Sequence, residues 1–281
     1  MKKNYKMLIS YDGTRYFGWE HQPDKDTIQG KIETVLFRMC GEKEEIEVIG
    51  AGRTDAGVHA KGMAANAIMD TALSEIEIRD YMNRYLPDDI AVLSVEMVSD
   101  RFHARYNATG KTYQYTCFDG DVKSVFDRRY YTRLDSKVDV KSMQEAAAFL
   151  VGKHDYSSFA MNPGKKKSAR REIDSVTVER DGDYIYFTVH GNGFLRNMVR
   201  ILVGNLLDVG TGRISPFDFH NIMEAKDRRV AGQTAPACGL CLLKVDYDNA
   251  PASGAKTEPD PSSPQEKITP INEIIKESKP S

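Results

Sequence analysis

The chain has 281 residues, of which 41% are hydrophobic and 28% charged, and its formal net charge is −2. Those proportions are those of a soluble globular protein, and no apolar run approaches the roughly 18–20 residues of a membrane span. The near-balanced charge argues against a global attraction to nucleic acid, so any polyanion site must be a local cationic patch. The opening "MKKNYKMLISYDG" has a lysine pair but no long apolar region and no small-residue cleavage site. A cytoplasmic protein without a signal peptide is expected.

"YKMLISY" (5–11) alternates apolar residues and reads as a strand. A helix is predicted over Thr27–Met39, since Ile28, Ile32, Val35, Leu36 and Met39 share one helical face. Strands follow at "IEVIG" (46–50) and "MAANAIM" (63–69). Ser74 and Glu77 then have capping-box spacing ahead of a helix carrying Ile78, Tyr81, Met82 and Tyr85. "IAVLSVEMV" (90–98) closes a β-α-β-β-α-β unit, the ferredoxin-like order.

The pattern nearly repeats. Strand "KTYQYTCF" (111–118) leads, with a short strand near "RRYYTR" (128–133). A helix with Val140, Met143, Ala147 and Leu150 on one face ends near Gly152. A hairpin over 173–189 turns at Asp181-Gly182-Asp183. A helix is predicted from Phe194 to Asp208, another from Ser215-Pro216, and a last strand over Gly239–Tyr247. The expected fold is α+β: two ferredoxin-like βαββαβ halves, 1–105 and 106–248, related by a pseudo-twofold. Their strands form a mixed, mostly antiparallel sheet with helices on one face and a cleft between the halves.

From Asn249 onward the composition changes: six of the eleven prolines lie here, with no aromatic residue and no leucine. Such a segment cannot bury a core, and 249–281 is expected to be disordered. Within it, "TPINEIIKES" has Thr269 as an N-cap and Ile271, Ile274 and Ile275 on one face, the pattern of a short docking helix. Among the four cysteines, the Cys238–Cys241 "CGLC" pair has half a zinc motif but no second pair, and reads as small hydrophobes beside a buried strand. No metal or cofactor is expected. "KKKSARR" (165–171) and the pairs Arg128–Arg129 and Arg228–Arg229 are each either phosphate-tracking patches or solvated loops.

Three stretches mix small, charged and aromatic residues in ways that core or turn patterns do not require. "GAGRTDAGVHA" (50–60) holds one carboxylate, Asp55, and one cation, Arg53. In "FHARYNATGKTYQY" (102–115), strand alternation turns Lys111, Tyr113 and Tyr115 to one side. In "NGFLRNMVRILVG" (192–204), Arg196 and Arg200 have i, i+4 spacing on the predicted helix. An aspartate among glycines is commonly a turn former, and Tyr113 fits an ordinary sheet face. Arg200 is harder to place, because a cation in an apolar helix needs a partner; Asp55 is a candidate.

Taken together, "YDGTRYFGW", "TIQG", "GAGRTDAGVHA", "LPDDIAV", "FHARYNATGKTYQY", "GNGFLRNMVR" and "GLCLLKVDY" resemble, in order, the TruA family of tRNA pseudouridine synthases over about residues 5–248. The resemblance places the family's nucleophilic aspartate at Asp55 and the arginine that holds the extruded nucleotide's place at Arg53. It puts the base-stacking tyrosine at Tyr113, the arginine paired with the aspartate at Arg200, and a pocket-lining position at Leu240. It implies tRNA as partner, at three neighbouring uridines of the anticodon stem-loop, a homodimer, no cofactor and no membrane association. Glu20 departs from the glutamine usual after "GW", which alters an RNA contact and not the chemistry.

The chemistry explains why one acid suffices. Converting uridine to pseudouridine breaks C1′–N1 and forms C1′–C5, with no water entering. A glycosidase needs two carboxylates; an isomerase that returns the same base needs one nucleophile and exclusion of water. Burial disfavours the ionised acid and a close arginine restores it. Attack at C1′, addition at C6 and a glycal route all remain open. The target base must leave its stack, and stacking on Tyr113 returns part of that cost. Gly50, Gly52 and Gly57 are expected to let the backbone approach RNA closely. Three rivals are an RNA-binding protein with incidental catalysis, an aspartate-nucleophile phosphatase, and the same isomerisation on another tRNA position or on ribosomal RNA. The second would need further carboxylates near Asp55, and the nearest in sequence are Glu47 and Asp70.

Overall fold

The computed structural model describes residues 1–42, 44–161 and 168–248, so the expected tail and Lys165–Lys167 lie outside the described residues. The first run of elements is β1 (Lys3–Tyr11), α1 (Ile28–Met39), β2 (Val48–Gly50), β3 (His59–Met69), α2 (Glu75–Tyr85) and β4 (Ile90–Val98). Local signals account for these boundaries. The Thr27 hydroxyl accepts from the Gly30 N–H at 3.2 Å, and Ser74 and Glu77 cap α2 reciprocally. Ile28, Ile32 and Leu36 of α1 and Ile78 and Met82 of α2 are buried in one core with Met7 and Ile9 of β1. Each such aliphatic side chain contributes about 1.5–3 kcal/mol when fully withdrawn from water.

The second run is β5 (Ala108–Phe118), the short β6 (Thr132–Arg133), α3 (Val140–Ala148), β7 (Gly152–Asp155), β8 (Arg170–Asp181), β9 (Tyr184–Gly191), α4 (Met198–Gly210), α5 (Pro216–Ala225) and β10 (Leu240–Tyr247). One sheet runs through both, in the order β4-β1-β3-β10-β5-β9-β8-β7, with β2 on β3 and β6 on β5. In chain order, β4-β1-β3-β2 and β10-β5-β9-β8 are the same arrangement, fourth strand, first, third, second. Both are ferredoxin-like, with helices on one face.

The halves meet where β10 runs parallel to β3, pairing Cys241 with His59 and Leu242 with Ala60. β2 covers the other end of the same edge, opposite Ala65–Ala67. Because the sheet is continuous across the seam, Met1–Asp248 is one compact unit. This seam also sets the site: the loop leading into β3 belongs to the first half, and β10 and β5 belong to the second.

One predicted element differs. The helix expected from Phe194 starts at Met198, because Asn197 takes a left-handed backbone (φ 60°) that a helix cannot continue through. Phe194–Asn197 is therefore loop, and Arg196 does not share a helix face with Arg200. Cys117 is buried in β5, while Cys238 and Cys241 flank the start of β10, and all four thiols are free. Among the described residues no helix is long and apolar enough to cross a membrane.

Candidate active site

Asp55 is held by a loop with little freedom. The Thr54 carbonyl accepts from the Trp19 N–H at 3.0 Å, and the Thr54 hydroxyl bonds the buried Tyr11 hydroxyl at 2.8 Å. The Asp55 carbonyl accepts from the Val58 N–H at 3.1 Å, closing a turn in which Gly57 has φ 79°. A Cβ on Gly50 would lie 2.5 Å from the Trp19 indole nitrogen. So Gly50 makes room for Trp19 and Gly57 makes the turn.

Arg200 arrives from the second half. Apart from it, the first two turns of α4 are almost wholly apolar, and ten of its thirteen residues are buried. A strap from Gly232 to Ala235 crosses this helix: the Gly232 N–H donates to Asn205 Oδ1 at 2.7 Å, and the Ala235 N–H donates to the Arg200 carbonyl at 3.1 Å. The strap fixes the guanidinium too. Arg200 Nε donates to the Ala235 carbonyl at 2.7 Å, and Nη1 donates to Asn197 Oδ1 at 3.0 Å. From that position Nη1 stands 3.6 Å from Asp55 Oδ2. Arg200 is 17% exposed and Asp55 34%, so the carboxylate opens into the cleft while its counter-charge lies behind it.

The cleft has a volume of about 960 Å³ and is lined from both halves, by Asp55, Tyr113, Phe194, Leu240 and the first turn of α4 among others. Tyr113 and Leu240 are 8% and 6% exposed. The Tyr113 ring meets Phe194 edge-on, with centroids 5.3 Å apart. Burial, and secondarily the nearby Asp55 charge, push the Tyr113 phenol well above its ordinary pKa, so it is neutral at physiological pH. Tyr115, two residues on, is fully buried; its hydroxyl donates to the Pro236 carbonyl at 2.8 Å and supports the floor. Lys111, Tyr113 and Tyr115 thus share a face, of which the first two reach the cleft.

Arg53 lines the same cleft but does not pair with its sequence neighbour Asp55. Its guanidinium forms an ion pair with Glu20 across the mouth, both side chains being largely exposed. Seven cations and two carboxylates line the cleft, although the chain as a whole carries −2. The local field therefore favours a polyanion, and the mixture of a flat aromatic wall, an aliphatic wall and one held carboxylate suits a base and its sugar.

Comparison with known proteins gives the family. A model of the family described as tRNA pseudouridine synthase matches residues 7–107 and 146–248. The chain belongs to that family. It is 46% identical over 245 residues to tRNA pseudouridine synthase A 2 of Bacillus anthracis, covering 87% of this chain and 99% of the relative. The figures are the same for tRNA pseudouridine synthase A of Bacillus sp. strain KSM-64, and identity is 41% to that of Acetivibrio thermocellus, with 87% and 100% covered. The enzyme is accordingly an isomerase.

All five residues singled out in the sequence, Arg53, Asp55, Tyr113, Arg200 and Leu240, line one cleft. The sequence did not reveal the parts that hold them. Phe194 was hidden inside a predicted helix, and the 232–235 strap carries no periodic signal. Arg105 and Arg171 also line the cleft, from the segment before β5 and from β8. Their approach depends on sheet pairing, which no local pattern encodes.

Proposed function

We propose that the enzyme isomerises uridines in the anticodon stem-loop of tRNA, with Asp55 as its nucleophile, acting as a cytoplasmic homodimer. What carries this reading is the Asp55–Arg200 pair, assembled across the seam beside Tyr113. The C1′–N1 bond breaks, the base turns, and C1′–C5 forms; the proton leaves C5 and N1 regains one, so atoms balance without water. Each route open to the carboxylate asks the same of the protein. One ionised oxygen must reach the sugar or base edge, a guanidinium must keep it charged, and solvent must be shut out.

In the free protein Asp55 is still partly wetted, so the seated nucleotide completes the seal. A uracil stacked on Tyr113, with Leu240 on the other side, displaces the water over the carboxylate, and stacking of this kind is worth about 1–3 kcal/mol. Arg53 occupies the gap left by the extruded nucleotide once it parts from Glu20. The cleft's excess of cations supports a folded RNA as substrate, and the division 1–105 and 106–248 describes the two walls that grip it. No second carboxylate joins Asp55 among the cleft's buried walls, which is what an isomerisation needs and a glycosidase could not use.

The test uses tRNA transcripts tritiated at uridine C5, because forming the new bond releases that hydrogen to water. Asp55→Asn is expected to release no tritium while binding tRNA within threefold of wild type. Undiminished release by this variant refutes the nucleophile; release mapped outside the anticodon arm refutes the substrate.

A further inference from the structure

Two of the cleft's arginines are already matched by acid, Arg53 by Glu20 and Arg200 by Asp55. Lys111, Arg105 and Arg171 are different. They lie near one another in the same cleft, and none forms an ion pair with a carboxylate among the described residues. Arg171 is fixed by donating to the backbone carbonyls of Ser168 and Arg170, at 3.0 and 2.6 Å. Lys111 projects from β5, between strand partners Val245 of β10 and Gly191 of β9, neither of them charged. Its ammonium lies against the catalytic loop: a Cβ on Gly52 would stand 3.1 Å from Nζ.

We propose that Lys111, Arg105 and Arg171 form a seat for a single phosphate group, and that its occupant is a backbone phosphodiester of the RNA strand entering beside the Asp55 loop. This rests on the reading of the enzyme as acting on RNA. Three like charges held together, two of them part-buried, repel one another and lose hydration; an anion placed among them relieves both costs. The state of Lys111 agrees. Burial first, and then the charges of Arg105 and Arg171, push its pKa down to about 8. The other charges lining the same cleft are Glu20, Lys25, Arg53, Asp55, Arg196 and Arg200; His190 and Asp246 gather at Gly110, whose position on the strand is the opposite face. An open cleft continuous with the catalytic carboxylate suits a polymer's phosphate better than a free one.

The sign of the pH effect follows. With its folded-state pKa near 8, Lys111 is charged below that value and neutral above it, whereas a bound phosphate holds the proton on. RNA affinity is therefore full below about pH 8 and falls above it. The experiment measures Kd for a tRNA transcript, over a salt series at pH 7 and over pH 7–9, for wild type, Lys111→Met, Lys111→Arg and the exposed-site variant Arg105→Gln. Lys111→Met and Arg105→Gln are each expected to weaken binding roughly tenfold and to lower the slope of log K against log salt by about 0.7–0.9. Lys111→Arg restores affinity and removes the pH dependence. Millimolar inorganic phosphate at constant ionic strength leaves tRNA binding unchanged.

Unaltered Kd and salt slope in both Lys111→Met and Arg105→Gln overturn the seat. Strong competition by inorganic phosphate, with tRNA affinity intact in the variants, overturns its assignment to RNA. Tritium release by wild type separates the two readings: its absence, with the salt-slope loss present, sinks the isomerase and leaves the seat standing.

Discussion

Removing the guanidinium behind Asp55 tests the site most directly. Unit charges 3.6 Å apart attract by about 1 kcal/mol in a water-like medium and by roughly 5 kcal/mol at an effective dielectric near 20. With Asp55 34% exposed, the free enzyme lies toward the lower figure. Expelling the remaining water as the seated nucleotide reacts moves the pair toward the upper one. Of the roughly 4 kcal/mol between the two figures, about 3 kcal/mol taken as support gained only in the transition state, after tRNA is bound, corresponds to roughly 10²-fold in rate. Arg200→Met is therefore expected to slow single-turnover tritium release about a hundredfold at saturating tRNA, with Kd changed less than threefold. Arg200→Lys keeps the charge but gives up the fork that bonds Ala235 and Asn197, and an intermediate loss of about tenfold follows. Leaving the Ala235 carbonyl without its side-chain donor costs about 1–3 kcal/mol, so melting must be checked and rates taken well below the transition. A wild-type single-turnover rate in Arg200→Met, or a large affinity loss with an unchanged rate, would refute the argument.

Glu20→Gln frees Arg53 for RNA; since an exposed ion pair contributes at most about 1 kcal/mol, kcat/KM should rise no more than fivefold with kcat unchanged, and a fall would show that Glu20 contacts the substrate. In the second half, the Asp119 carboxylate is fully buried and takes a bidentate pair from Arg180 at 2.9 and 2.7 Å. Asp119→Ala strands that guanidinium and should cost about 3–5 kcal/mol in urea unfolding. Burial alone would raise the Asp119 pKa, but bonds from Arg180, the Val138 N–H and Lys137 outweigh it and hold it below the usual value. Its contribution is thus present above the unfolded-state value near 3.9 and lost as pH falls through the lower folded one, so Tm in Asp119→Ala should lose pH dependence below about pH 4. A chain ending at Asp248 keeps every residue matched by the family and is expected to retain full tritium release; a large drop would place part of the functional fold beyond that residue.

Short-range patterns carried much of the architecture. The Thr27 cap, the Ser74–Glu77 box, the apolar alternation of β1 and the hairpin at Asp181–Asp183 each depend on residues a few positions apart, and the chain fixes such features locally. The motif around Asp55 was equally legible, as was the unsatisfied need of a cation in the apolar stretch after Asn197. Tertiary structure decided which charges meet. Arg53, two residues from Asp55, turns to Glu20, while Arg200 reaches Asp55 from the far half because β10 pairs with β3 and the 232–235 strap pins its guanidinium. Gly50 serves Trp19, and Lys111 gathers Arg105 and Arg171 around it. Strand register and helix docking set those distances, and both arise from hydrogen bonds and packing between segments remote in sequence, where no periodicity within either segment holds the information.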